Sequence, residues 1–341
     1  FGGIQAYPSR RKDPDEIHFN TGSVGLGGVN AMFGAVVQDY ALRHFKDEVT
    51  LGRYISLIGD AEMEEGTLYE ALVESQNYNL RNCWWIIDYN RQSLDKLLPH
   101  NRVNQLQAIF ESMGWEMIVV KYSRELLELF KQPGGPALKQ WFDDVSNQEY
   151  QTLLRVPADV YKARLLESVG SQSKAARALI EKYDGEHLRT GIMNLAGHDM
   201  ESVLEAFTKA DPERPNCFIA YTVKGKGMPF AGHKDNHSGL MTPDQMAQFR
   251  ERLGVPTGDE WAPFAGLDIE PDRLQSFIGR APFLGLADRN HKAPRVAVPA
   301  DFPTQQGGKA STQEAFGKIL NELGRGDSDL AQHIITASPD V

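Results

Sequence analysis

Gly59-Asp60-Ala61-Glu62 and Asn90 lie 27 residues apart, and each end of the interval follows a short apolar run. Asp60 offers a carboxylate and Asn90 an amide oxygen. With a free backbone carbonyl, such a set suits Mg²⁺ when phosphate oxygens and water fill the remaining octahedral positions. The pair therefore points to a metal-bridged diphosphate. A plainer alternative uses the same residues: Asp60 as a helix cap and Asn90 as a turn former, both common roles.

The elements needed to bring the two donors together are legible around them. Residues 54–58 (YISLI) and 83–87 (CWWII) read as buried strands. Between them, 66–80 carries Leu68, Ala71, Leu72 and Ser75 at helical spacing. A strand, helix and strand of this length form a right-handed βαβ unit with parallel, usually adjacent strands. Asp60 and Asn90 then meet at the carboxyl ends, where open parallel sheets bind ligands.

Upstream, TGSVGLGG (21–28) opens a helix over 29–44, an arrangement that can aim backbone N–H groups at an anion. Its glycines do not fit the dinucleotide spacing. Downstream, the pattern predicts a helix over 104–113 and a strand over 116–121. Amphipathic helices follow over 125–131, 158–167, 173–183 and 200–210, then a strand over 217–223 (CFIAYTV). That strand ends in KGKGMP, which lacks the interval of a Walker loop, and AGHKDNHSG (231–239) comes next. The reading is an α/β fold: a parallel sheet flanked by helices, with a helical insert. Residues 254–309 hold seven prolines and have linker composition. A helix over 311–323 and a short strand over 333–336 close the chain.

At 341 residues, 41% hydrophobic and 24% charged, the composition is that of a globular protein. A net charge of −10 argues against a general nucleic-acid or acidic-membrane surface. No apolar run approaches the roughly 18 residues of a membrane span. The opening FGGIQAYPSRRKDPDE carries no signal-peptide core, so the cytoplasm is the expected location. Cys83 and Cys217 sit in strand-like runs, as buried thiols do, and no zinc-type spacing exists.

GDAE, this interval and Asn together resemble the thiamine diphosphate motif of the transketolase and 2-oxoacid dehydrogenase superfamily, usually Gly-Asp-Gly, a similar interval, then Asn. Here Ala61 replaces the second glycine, and Asp88 and Tyr89 precede Asn90. Over roughly residues 4–253 the landmarks resemble the diphosphate-binding domain of the homodimeric pyruvate dehydrogenase decarboxylating component. They are QAYPS (5–9), TGSVGLG, GDAEMEEG, DYNRQSLD (88–95), IFESMGW (109–115), EYQTLLR (149–155), NLAGHD (194–199) and KGKGM. Transketolase shares GDAEMEEG, the helix after it and DYNRQSLD; the insert around EYQTLLR followed by AGHD favours the dehydrogenase. Residues 311–341 resemble the opening of a pyrimidine-binding domain. The implied organisation is a thiamine diphosphate domain over 1–256, a linker over 257–309 and a truncated pyrimidine-binding domain over 310–341.

By position, the resemblance implies Asp60 and Asn90 as side-chain ligands of Mg²⁺ and Gln92 as a backbone ligand. Gly59, Ala61, Glu62 and Val24 would line the diphosphate, with Lys224 facing it or a substrate carboxylate. His237 matches a histidine near the reacting centre, a residue type suited to proton transfer near neutral pH. The interval from Lys224 to His237 is shorter than the family pattern, which leaves His233 as a rival. His100 has no firm counterpart. Glu64 and Glu65 read as a solvated acidic first turn.

The implied cofactors are thiamine diphosphate and Mg²⁺, with the thiazolium carbon attacking a substrate carbonyl and the ring serving as electron sink. In the family an activating glutamate comes from a partner's pyrimidine-binding domain, and no residue here is assigned to it. A homodimer, or a partner chain supplying that domain, is expected. So is a fragment that is inactive alone. The substrate class is a 2-oxoacid such as pyruvate. Transketolase-type transfer between sugar phosphates is the first alternative and a non-catalytic binding module the second. No nucleic-acid or membrane partner is expected.

Overall fold

Runs rich in β-branched and aromatic residues become the strands of a parallel sheet. The computed structural model of the protein describes residues 21–22, 24–45, 51–92, 102–170, 173–281, 295–302, 308–326 and 328–336. QAYPS, residues 93–101 with His100, and residues 282–294 lie outside them. The strands are β1 (Tyr54–Gly59), β2 (Cys83–Tyr89), β3 (Glu116–Val120) and β4 (Asn216–Tyr221). Helices α1 (Leu26–His44), α2 (Gly66–Glu74) and α3 (Val103–Ser112) accompany the first three.

A helical insert separates β3 from β4. It comprises α4 (Arg124–Phe130), α5 (Gly135–Asp144), α6 (Asn147–Arg155), α7 (Ala158–Val169), α8 (Lys174–Ile180), α9 (Gly185–Met193) and α10 (Met200–Thr208). After β4 come α11 (Pro243–Arg252), α12 (Pro271–Ile278), α13 (Thr312–Gly324) and α14 (Asp329–His333). The chain divides into two compact units, Phe1–Asp268 and Ile269–Val341.

The sheet order is β1-β2-β4-β3, every pair parallel. β1 and β2 are direct neighbours, as the βαβ reading requires. Their register sets Gly59 beside Asp88, so the chain leaves both strands side by side at their carboxyl ends. Alternation along β2 sends Cys83, Trp85, Ile87 and Tyr89 into the larger core, with Met32 and Ala35 of α1 and Phe110 of α3. Trp84 faces the opposite side, packed with Phe218, Val120 and Ala206 of α10. Burying one large apolar side chain contributes roughly 2–3 kcal/mol, and Trp85, Trp115 and Phe110 are all fully buried in contact with one another. Both cysteines are free and buried, and burial pushes the Cys83 thiol up to about 12.

Three expectations are corrected. The helix over 66–80 ends at Glu74 and tightens into a 3-10 turn, Ser75–Asn77. There the Ser75 hydroxyl donates to the Leu72 carbonyl at 2.6 Å and accepts the Trp115 indole N–H at 3.0 Å, a side-chain competition that disfavours further helix. The stretch of linker composition contains α12, started by Pro271 at its first position. The strand over 333–336 does not form: Ser328 caps α14 through the Ala331 N–H, and residues 334–336 find no neighbouring strand among the described residues. No helix among the described residues is long and apolar enough to cross a membrane.

Candidate cation and diphosphate site

Asp60 begins a 3-10 turn, Asp60–Glu64, directly after β1. Its carboxylate does not cap a helix, since the caps of this turn and of α2 are Gly59 and Glu65. Instead, Oδ2 accepts the Arg91 N–H at 2.5 Å, spanning from the end of β1 to the turn that follows β2. The end of β1 and the turn that carries Asn90 therefore meet. Asp60, Asn90, Arg91 and Gln92 are all buried. Ala61 lies in the right-handed turn, a conformation open to alanine, so the family's second glycine is not needed for the backbone here.

Burial drives the Asp60 carboxyl up to about 7, with nearby Asp88 adding to the effect and the Arg91 N–H and Lys224 opposing it. A carboxylate held in so costly a charged form is the kind of group that a cation stabilises. Asn90 Oδ1 accepts the Gln92 N–H at 3.0 Å and keeps a second lone pair. Gln92 Oε1 is buried without a donor. These oxygens fit a divalent cation in chemistry. Among the described residues no cluster of three or more His, Cys, Asp or Glu could hold a metal, so any ion here needs amide, carbonyl, phosphate or water oxygens beside Asp60.

Glu62 does something the sequence did not suggest. Its Oε1 accepts the Gly59 N–H at 3.0 Å and its Oε2 the Gly25 N–H at 2.9 Å. Gly25, at φ 79°, is the N-cap of α1, so the N–H at the mouth of the glycine-rich turn is taken by a protein carboxylate. Val24 beside it is exposed. Small residues serve packing in this helix: a Cβ on Gly28 would fall 2.7 Å from Leu68 and 2.9 Å from Ile58.

At the carboxyl end of β4, Lys224 Nζ lies 3.4 Å from His237 Nδ1, with His237 exposed on the 3-10 turn Lys234–His237. Burial lowers the Lys224 pKa, while Asp60 and Asp88 raise it. Gln151 and His198 escaped the sequence reading. Gln151 Oε1 accepts from Gln92 Nε2 at 2.9 Å and its Nε2 donates to the Asn90 carbonyl at 3.3 Å. His198 Nε2 accepts the Val223 N–H at 2.7 Å. The one hint for Gln151 was a polar residue inside the apolar stripe of EYQTLLR.

No family model matches the chain. It is 27% identical over 266 residues to a pyruvate dehydrogenase E1 component of Corynebacterium glutamicum, covering 76% of this chain and 28% of the relative. Against that of Escherichia coli K12 it is 27% identical over 264 residues, covering 75% of the chain and 29% of the relative. The E1 component of Cupriavidus necator is 25% identical over 357 residues, covering 99% of the chain and 39% of the relative. Among solved structures, a transketolase from Campylobacter jejuni superposes with a TM-score of 0.51 at 16% identity, over 91% of this chain and 39% of that one. In sequence the chain is thus similar to pyruvate dehydrogenase E1 components, and in fold to a transketolase. The chain spans between about three and four tenths of the length of these E1 components.

Proposed function

We propose that this chain is the diphosphate-anchoring part of a thiamine diphosphate- and Mg²⁺-dependent decarboxylating component of a 2-oxoacid dehydrogenase, with pyruvate as substrate. The observation that carries the reading is the Asp60 carboxylate buried against the Asn90–Arg91–Gln92 turn at the ends of adjacent parallel strands. The similarity to pyruvate dehydrogenase E1 components supports it. Asp60 and the Asn90 amide would hold Mg²⁺ together with a backbone carbonyl of Gln92, with Gly59 and Ala61 beside the diphosphate. Val24 would line the diphosphate from the head of α1, and Glu62, on the turn after β1, fixes the glycine-rich turn. When bound, thiamine diphosphate supplies a nucleophilic carbon and an electron sink for the carbanion left by decarboxylation.

The remaining work belongs to this chain's own groups. Lys224 presents positive charge toward the anionic groups at the strand ends. His237, exposed and 3.4 Å from Lys224, is the residue to which this reading gives proton transfer near the substrate; His233 is its rival. By the same reading the protein works in the cytoplasm as a homodimer, or with a partner chain supplying the pyrimidine-binding domain, and the 341-residue chain alone does not turn over pyruvate.

Calorimetry with thiamine diphosphate and Mg²⁺ tests the reading. Binding should require the metal and vanish in Asp60→Ala. An unchanged isotherm in that variant, or binding indifferent to Mg²⁺, sinks it. A longer protein containing this chain should act on pyruvate with an artificial electron acceptor; preference for xylulose 5-phosphate would assign it to transketolase instead.

A further inference from the structure

Arg91 is one of two non-glycine residues among those described with positive φ, at 65°, a conformation that L side chains adopt only when their surroundings impose it. It lies between Asn90 and Gln92, two of the three residues assigned to the cation, so whatever imposes it also sets their aim. The Asp60 carboxylate holds its N–H, and its guanidinium lies over the Tyr150 ring at 4.1 Å. Gln151, the next residue of α6, is 3% exposed and touches both flanking residues, receiving the Gln92 side-chain amide and donating to the Asn90 carbonyl. All three turn residues are thus gripped by two consecutive residues of one insert helix. That helix is itself fixed by the Ser146 cap and by the Tyr150 hydroxyl donating to the Ile192 carbonyl.

We infer that Gln151 is a positioning residue for the cation: its side-chain amide, clipping Asn90 and Gln92 together, sets the turn in the geometry that a small octahedral ion requires. The inference rests on the proposed cofactor site and goes beyond it, because it makes the helical insert a determinant of metal affinity and of metal choice. Gln151 bonds to the ligand residues but to neither of the oxygens assigned to the ion. It acts through the Asn90 carbonyl, whose orientation fixes the Asn90–Arg91 peptide, and through the Gln92 side chain. An ion held at short oxygen distances in strict geometry suffers when such a clip is lost. A larger ion with variable coordination suffers less.

The test titrates Mg²⁺, and in parallel Ca²⁺, into the chain at saturating thiamine diphosphate, for the native sequence, Gln151→Met and Asp60→Ala. Methionine keeps the length and burial and removes both hydrogen bonds. Gln151→Met should weaken Mg²⁺ about tenfold or more, the scale seen when groups supporting metal ligands are removed, with a much smaller effect on Ca²⁺; the buried groups it leaves unpaired should also lower the thermal midpoint. Native Mg²⁺ affinity in Gln151→Met overturns the inference while leaving the site intact, provided Asp60→Ala abolishes binding. Equal losses for both ions overturn it too, marking Gln151 as structural. Absence of metal-dependent binding by the native chain removes the proposed site itself. Should Gln151→Met fail to fold, Gln151→Glu carries the same two-ion comparison, since it keeps the acceptor for Gln92 and lacks the donor to Asn90.

Discussion

Both carboxylate oxygens of Glu62 are committed to backbone N–H groups, one at the end of β1 and one at the head of α1. Truncation orphans two partly buried donors, and hydrogen bonds to charged groups are worth more than neutral ones. Glu62→Ala should therefore cost about 2 kcal/mol in urea unfolding, and Glu62→Gln, which retains one acceptor oxygen, should recover part of it. His198 gives the pH counterpart. Burial, with Lys226 contributing, holds its pKa down from 6.5 to about 4, so the folded state keeps the ring neutral where the unfolded chain takes a proton. The stabilising contribution is complete above pH 6.5 and is lost as pH falls toward 4. Urea midpoints of the native chain should decline across that window relative to His198→Gln; parallel curves would contradict the assignment. At this scale the positions of Asp60 and Asn90 at neighbouring strand ends were legible because an interval in sequence maps directly onto adjacent parallel strands. Gln151 and His198 were not, because their partners lie 61 and 25 residues away and only the fold brings them close.

The crossing of α1 over β1 depends on having no side chain at Gly28, where a Cβ would meet Leu68, Ile58 and Trp85 within 3.1 Å. Gly28→Ala should destabilise the protein by about 1–3 kcal/mol, the usual cost of overpacking a filled core, seen as a lower thermal midpoint; a neutral result would mean that α1 shifts freely on the sheet. Strands were the most legible elements, since CWWII and CFIAYTV are apolar on both faces, as central parallel strands must be. The insert was read only in part. α5 opens with Gly135-Pro136 and α9 with Gly185, residues that read as turns until the close backbone approaches they permit are seen. α12 was hidden by surrounding prolines, one of which starts it.

The unit Ile269–Val341 buries no residue along α12, α13 or α14, and Phe277 and Phe316 stay more than half exposed. Helices with so little packing open readily. Hydrogen exchange should find their amides unprotected within seconds to minutes, while β2 and β4 exchange only with global unfolding; comparable protection would show that these helices are covered in solution.

In the unit Phe1–Asp268, β4 sits between β2 and β3 yet begins at Asn216, after the whole insert has been made. β3 has no pairing partner among the described strands except this late arrival. During synthesis on the ribosome, the apolar edge of β2 and the entire length of β3 must therefore wait unzipped while about a hundred further residues emerge. The nascent polypeptide is most exposed to misassembly in that interval, and a chaperone would find its footing there.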